Sequence, residues 1–135
     1  MPNFFAKETL LSSVCANPYP TCNNDYTVGL LNVRSLSASG RVTRVLSEVL
    51  SHSIDFLFLT ETWHKEPNDS CIRELTIDGY QNFFRARPDG KHGGGLGVLF
   101  LESFSFSNVD VPMFLSFEHL TLTVSFCMVI RRHFR

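Results

Sequence analysis

The chain has 135 residues, the length of one ordinary domain, and 44% hydrophobic with 19% charged residues argues against disorder throughout. A net charge of −1 supplies no global field for nucleic acid, so any such affinity has to be local. Four cysteines, none in a Cys-x-x-Cys pair, argue against a zinc framework, while thirteen phenylalanines lean toward a β-rich or mixed fold.

Residues 1–25 show no clear period. Asn17-Pro18, Tyr19-Pro20 and Asn23-Asn24-Asp25 are turn formers, so this segment reads as a leader with little structure. Lys7 and Glu8 interrupt the short apolar stretch at the N-terminus, which is poor for a signal peptide. Cys15 and Cys22 would bridge only in an oxidising compartment, and nothing else points to secretion. The expected location is intracellular, nuclear or cytoplasmic.

A first strand is expected over Tyr26 to Val33, then a Ser/Gly-rich turn from Ser35 to Gly40. Val42, Val45, Leu46, Val49 and Leu50 recur at helical spacing and predict one apolar face of a helix. Ile54 to Thr60 is nearly all apolar, the pattern of a central strand covered on both faces. Strand, helix and strand with short connections predict a parallel pair joined by a right-handed crossover.

A polar loop, His64 to Ser70, precedes an expected helical turn at Cys71 to Leu75. Tyr80 to Ala86 and Leu96 to Leu101 read as strands, joined by a flexible, glycine-rich link from Arg87 to Gly95. Phe104 to Val109 reads as an additional edge strand. Leu120, Leu122, Val124 and Phe126 alternate with polar residues, as in a half-buried strand. Pro112 to Ile130 is the most membrane-like stretch, but Glu118 and His119 interrupt it, which favours strands over a spanning helix. An alternating strand so near Arg135 implies a neighbour further along, so the domain is expected to continue beyond these residues.

Two phrases carry the chemistry. Leu30-Leu31-Asn32-Val33-Arg34 and Leu57-Phe58-Leu59-Thr60-Glu61-Thr62-Trp63 are both apolar runs that end in an oxygen ligand. If the runs are adjacent strands, Asn32 and Glu61 emerge at one sheet edge, an amide beside a carboxylate. Mg²⁺ takes few protein carboxylates and fills its shell with water and substrate phosphate, so Glu61 alone would suffice as an anchor. Arg85, Arg87 and Lys91 cluster around Asp89 and form a local candidate for a nucleic-acid backbone. The run Gly93-Gly94-Gly95-Leu96-Gly97 lacks the Lys-Ser/Thr of a P-loop and leads into a strand, which predicts close backbone packing and not nucleotide binding. Glu118 and His119, as neighbours on a strand, would face opposite ways and not act together.

Taken together, the phrases resemble the endonuclease/exonuclease/phosphatase superfamily. They are most similar to the apurinic-type endonuclease domain of non-LTR (LINE-type) retrotransposon polyproteins, which also carry a reverse transcriptase. The matching residues are Leu31-Asn32-Val33-Arg34-Ser35-Leu36, Asp55 to Trp63, Gly79-Tyr80, Arg85-Ala86-Arg87, Gly93 to Val98 and Phe117-Glu118-His119-Leu120. Their order and spacing agree from about residue 26 to 130, within a partial domain taken as residues 26–135. The resemblance implies an α/β fold, the N-terminal half of a four-layered sandwich of two packed β-sheets with outer helices. It implies Mg²⁺ (or Mn²⁺) as cofactor, Asn32 and Glu61 as catalytic and metal-site residues, and DNA as a weakly held, backbone-bound partner. Glu118 falls where the family often has Glu. No membrane and no small-molecule cofactor is implied.

The family's Gly-Asp-x-Asn and Ser-Asp-His phrases do not occur among these residues. The resemblance therefore implies a domain inactive alone, in want of a C-terminal half. It also implies exposed inner-sheet apolar surface, with Phe100, Phe104, Phe106, Phe114, Phe117 and Phe126 as candidates. The alternative is a non-enzymatic nucleic-acid or protein binding module that retains only the sheet.

Overall fold

The computed structural model describes residues 8–9, 25–89, 91–109 and 118–126. Along the chain run β1 (Glu8–Thr9), β2 (Thr27–Asn32), α1 (Arg41–Ser51), β3 (Phe56–Thr60), α2 (Ser70–Glu74), β4 (Tyr80–Arg85), β5 (Leu96–Leu101), β6 (Phe104–Asn108) and β7 (Leu122–Phe126). The fold is α/β, with a larger sheet in the order β1-β2-β3-β5-β4 and a second sheet of β6 and β7. The two residues of β1, within the stretch expected to carry little structure, pair antiparallel with β2.

As the apolar run at Ile54 to Thr60 predicts, β3 is central. It pairs parallel with β2 across the α1 crossover and antiparallel with β5. Strand alternation sends Leu31, Val33, Leu57, Leu59 and Leu99 to one face, where they bury against Val45 and Val49 of α1 and Cys71, Ile72 and Leu75 around α2. Helix α1 has Gly40 at its N-cap and no side-chain cap, so this packing holds it in place. Leu50 departs from the expected stripe and is 62% exposed. It lies about 100° around the axis from Val49, at the stripe's edge.

The other face of the same sheet presents Phe56, Phe83, Val98 and Phe100, which pack with Phe104, Phe106 and Leu122 of the second sheet. Ring centroids lie 4.5 Å apart for Phe56 and Phe104 and 5.0 Å apart for Phe100 and Phe106. Gln81 Nε2 also donates across the gap to the Phe104 carbonyl at 2.6 Å. This corrects two expectations. Residues 104–108 do not extend the first sheet as an edge strand, because the chain turns at Glu102 and Ser103 and β6 lies over the sheet to pair with β7. Phe100 and Phe104 are consequently 1% and 4% exposed, and Phe106 is half-buried. Phe114 and Phe117 lie outside the described residues, as does the side chain of Phe126.

The second sheet covers only part of that face. Leu30 stays 49% exposed and Phe58 39% exposed, side by side on β2 and β3. Helices, larger sheet and smaller sheet make three successive layers among the described residues. No helix there is long and apolar enough to cross a membrane.

Gly97 sits in β5 directly beneath the Phe84 ring, and a Cβ at that position would collide with the ring. Gly97→Ala should therefore lower stability by about 1–3 kcal/mol in urea unfolding. Combining it with Phe84→Leu should cost less than the sum of the two single changes, since the smaller side chain makes room. Strict additivity would show that the contact is not what excludes a side chain there.

Candidate metal and phosphodiester site

Backbone pairing does not stop where β3 ends. The Val33 N–H donates to the Thr60 carbonyl (3.0 Å), Ser35 N–H to Glu61 (2.8 Å) and Leu36 N–H to Thr62 (3.0 Å). From the opposite side, Thr62 N–H donates to the Gly95 carbonyl (3.2 Å) and Trp63 N–H to Gly94 (2.9 Å). Residues 61–63 are thus clamped between the segment after β2 and the glycine run before β5. Within the clamp both Glu61 and Trp63 take φ of +57°, and Thr62 between them is buried. Left-handed backbone at such residues costs about 1–3 kcal/mol each and persists only where the surroundings over-determine it.

That backbone brings two side chains together. Trp63 Nε1–H donates to Glu61 Oε2 at 2.7 Å, and Gly94 N–H donates to the same oxygen at 3.1 Å. The Trp63 bond foremost, then the Gly94 bond, hold the Glu61 carboxyl below its ordinary range against a small opposing effect of burial; the charges of Arg87 and Arg34 add to the lowering. Asn32 pairs in register with Thr60, so the amide and the carboxylate do emerge at one edge of neighbouring parallel strands. Asn32 is exposed and Glu61 half-buried.

The glycine end of the link, Gly94 and Gly95, is held in place, in contrast to the flexibility expected from its composition. Gly94 and Gly95 are buried with φ of +72° and +86°, and a side chain on Gly95 would strike the Thr62 hydroxyl. Their N–H groups meet protein carboxylates: Gly94 bonds Glu61, and Gly95 bonds Glu118 Oε2 at 2.9 Å. Glu118 and His119 precede β7 instead of lying on a strand, which is how Glu118 reaches the glycine run.

The basic residues divide. Arg87 Nε sits 2.7 Å from Asp89 and 3.9 Å from Glu118 Oε1, bridging the link to the second carboxylate. Lys91 is 74% exposed beside Asp89. Arg85 stands apart at the end of β4 and donates to the His119 carbonyl at 3.4 Å. Beneath the site His64 is buried, its Nδ1 2.7 Å from the Thr62 hydroxyl, and burial lowers its pKa so that it rests neutral.

The donor set suits a hard divalent cation. Glu61 Oε2 accepts two hydrogen bonds and Oε1 accepts none among the described residues, while Asn32 ends the neighbouring strand in register with Thr60. Among the described residues no group of three or more His, Cys, Asp or Glu side chains converges, so water and phosphate would complete such a shell. Arg34, Trp63 and Glu118 join the site although residue chemistry alone did not single them out. The contact between Trp63 and Glu61 depends on the left-handed backbone at both residues, which residue types and spacing do not signal. No family model matches the chain, and no curated protein matches it at a significant level.

Because Trp63 bonds Glu61 directly, its fluorescence should report the carboxyl's protonation. We expect an acid transition with a midpoint below that of an ordinary glutamate, abolished in Glu61→Gln. The lowered pKa means that this group stabilises the fold above the unfolded value, a contribution lost as pH falls through the folded one. A midpoint at or above the ordinary value would show that the two hydrogen bonds are not made in solution.

Proposed function

We propose that these residues are the N-terminal part of a Mg²⁺-dependent phosphodiesterase domain of the endonuclease/exonuclease/phosphatase type, similar to the DNA endonucleases of LINE-type retrotransposons. The observation that carries this reading is the arrival of Asn32 and Glu61 at one edge of adjacent parallel strands, with the carboxylate kept ionised and one oxygen uncommitted.

A bound Mg²⁺ supplies Lewis-acid stabilisation of charge on a phosphodiester. The chain's own share is to place a ligand. Trp63 and Gly94 fix the Glu61 carboxylate in one rotamer and keep it deprotonated, so that no proton has to be displaced when a cation arrives. Asn32 offers an uncharged oxygen beside it, and its amide N–H groups can donate to a phosphate oxygen. Arg34 adds positive charge that attracts a phosphate, while the charge of Arg87 is shared with Asp89 and Glu118.

A base to activate water and an acid to release the leaving oxygen are a separate requirement. His64 is sealed under the clamp, out of reach of a substrate. The family's Asp/Asn and Asp–His pairs have no counterpart in these 135 residues. In this reading further strands of the second sheet, packed over Leu30 and Phe58, supply them, and helices outside that sheet complete the four-layered sandwich.

Mn²⁺, as a paramagnetic stand-in, should broaden the Gly94 amide and Trp63 indole N–H resonances of the chain. It should leave them sharp in Glu61→Gln, which keeps the hydrogen-bond acceptor and removes the charge. Plasmid nicking should be absent with Mg²⁺ as with EDTA. Unbroadened resonances would overturn the metal site. Metal-dependent nicking lost in Glu61→Gln would overturn the need for further strands.

A further inference from the structure

Trp63 is the only tryptophan of the chain, and 45% of it is exposed. It is not a loosely held surface ring. Its φ is +57°, its backbone N–H is bonded to Gly94, and its indole N–H is bonded to Glu61 at 2.7 Å. One edge of the ring is therefore tied to the carboxylate, and the two single bonds of the side chain have little freedom left. An aromatic platform fixed before its ligand arrives loses little entropy on binding.

The surroundings say which ligand suits it. The charges of Arg34 and Arg87 are felt at the adjoining carboxylate; Arg87 and Lys91 are paired with Asp89, and Arg34 is exposed with no ion pair among the described residues. Basic groups around an exposed ring are the means by which single nucleic-acid strands are held: charge follows the backbone and the ring takes a base. A base stacked inside a duplex has no free face, so the ligand must be unpaired.

We propose that Trp63 stacks on an unpaired nucleobase of a DNA strand whose phosphate lies at the Glu61 edge. This rests on the phosphodiester reading above and deepens it by naming an opened or single strand as what is recognised. A corollary follows from the hydrogen bond. Because the indole N–H is already given to Glu61, the ring has no donor with which to read a base edge, so recognition runs through the ring face and tolerates any base.

The test uses Trp63 emission in the full chain. It is titrated with a short single-stranded oligodeoxynucleotide and with a sugar–phosphate strand of equal length lacking bases. The base-bearing strand should quench emission and bind about 5- to 100-fold more tightly than the base-free one, the range expected for one stacking contact. By fluorescence anisotropy of labelled strands, Trp63→Ala should bring the two strands to equal affinity. Trp63→Phe, which keeps a ring and loses the N–H, should hold the preference within about threefold of wild type. Circular dichroism checks that both variants are folded. Equal affinity for the two strands in wild type, or binding of neither, overturns the stacking proposal. If Mn²⁺ still broadens the Gly94 amide, the phosphodiester reading survives that failure; if it does not, both readings fall.

Discussion

Everything at the proposed site depends on the clamp around residues 61–63. The backbone of this short segment is gripped from one side by Val33 to Leu36 and from the other by Gly94 and Gly95, and the grip is what holds two residues in left-handed conformation. Released from either side, the segment would relax toward extended backbone, and the indole would leave the carboxylate. The glycines serve this by allowing two chains to approach more closely than side chains permit. The clamp's backbone bonds hold Trp63 and Gly94 where their other N–H groups reach the Glu61 carboxylate, so the geometry of the clamp sets the ionisation of Glu61.

Much of the framework was legible from period alone. The strand–helix–strand unit, the central position of Phe56–Thr60 and the two strands flanking the glycine link follow from apolar spacing. So does the common edge of Asn32 and Glu61, because parallel neighbours end in register. The packing of two sheets was implied by the resemblance and not by period, since Phe104 to Asn108 has the same pattern whether it extends a sheet or lies over one. Leu50 illustrates the limit of a stripe: helical spacing admits it, and the width of the opposing sheet leaves it out.

The site was half legible for a similar reason. Residue types and spacing pointed to Asn32 and Glu61, but the partners that tune Glu61 come from far along the chain. Gly94 lies 33 residues from it. A glycine-rich link reads as freedom when its contacts are unseen, and the Gly94–Gly95 end of this one is buried and hydrogen-bonded. Glu118 was expected on a strand and arrives from the segment before one, where nothing constrains its direction to that of its neighbours. Backbone signs such as those at Glu61 and Trp63 leave no mark in composition at all.

Strand β5 belongs to both cores at once: Leu99 enters the helical core, while Val98 and Phe100 enter the aromatic one. It also pairs with β3 on one side and β4 on the other. No partial opening can detach it without exposing apolar surface on two faces and breaking two ladders together. The slowest amide hydrogen exchange in the molecule is therefore expected along Gly97 to Phe100, at the rate of global unfolding. The glycine run that closes the clamp leads directly into this strand, so the site is tethered to the last part of the fold to open.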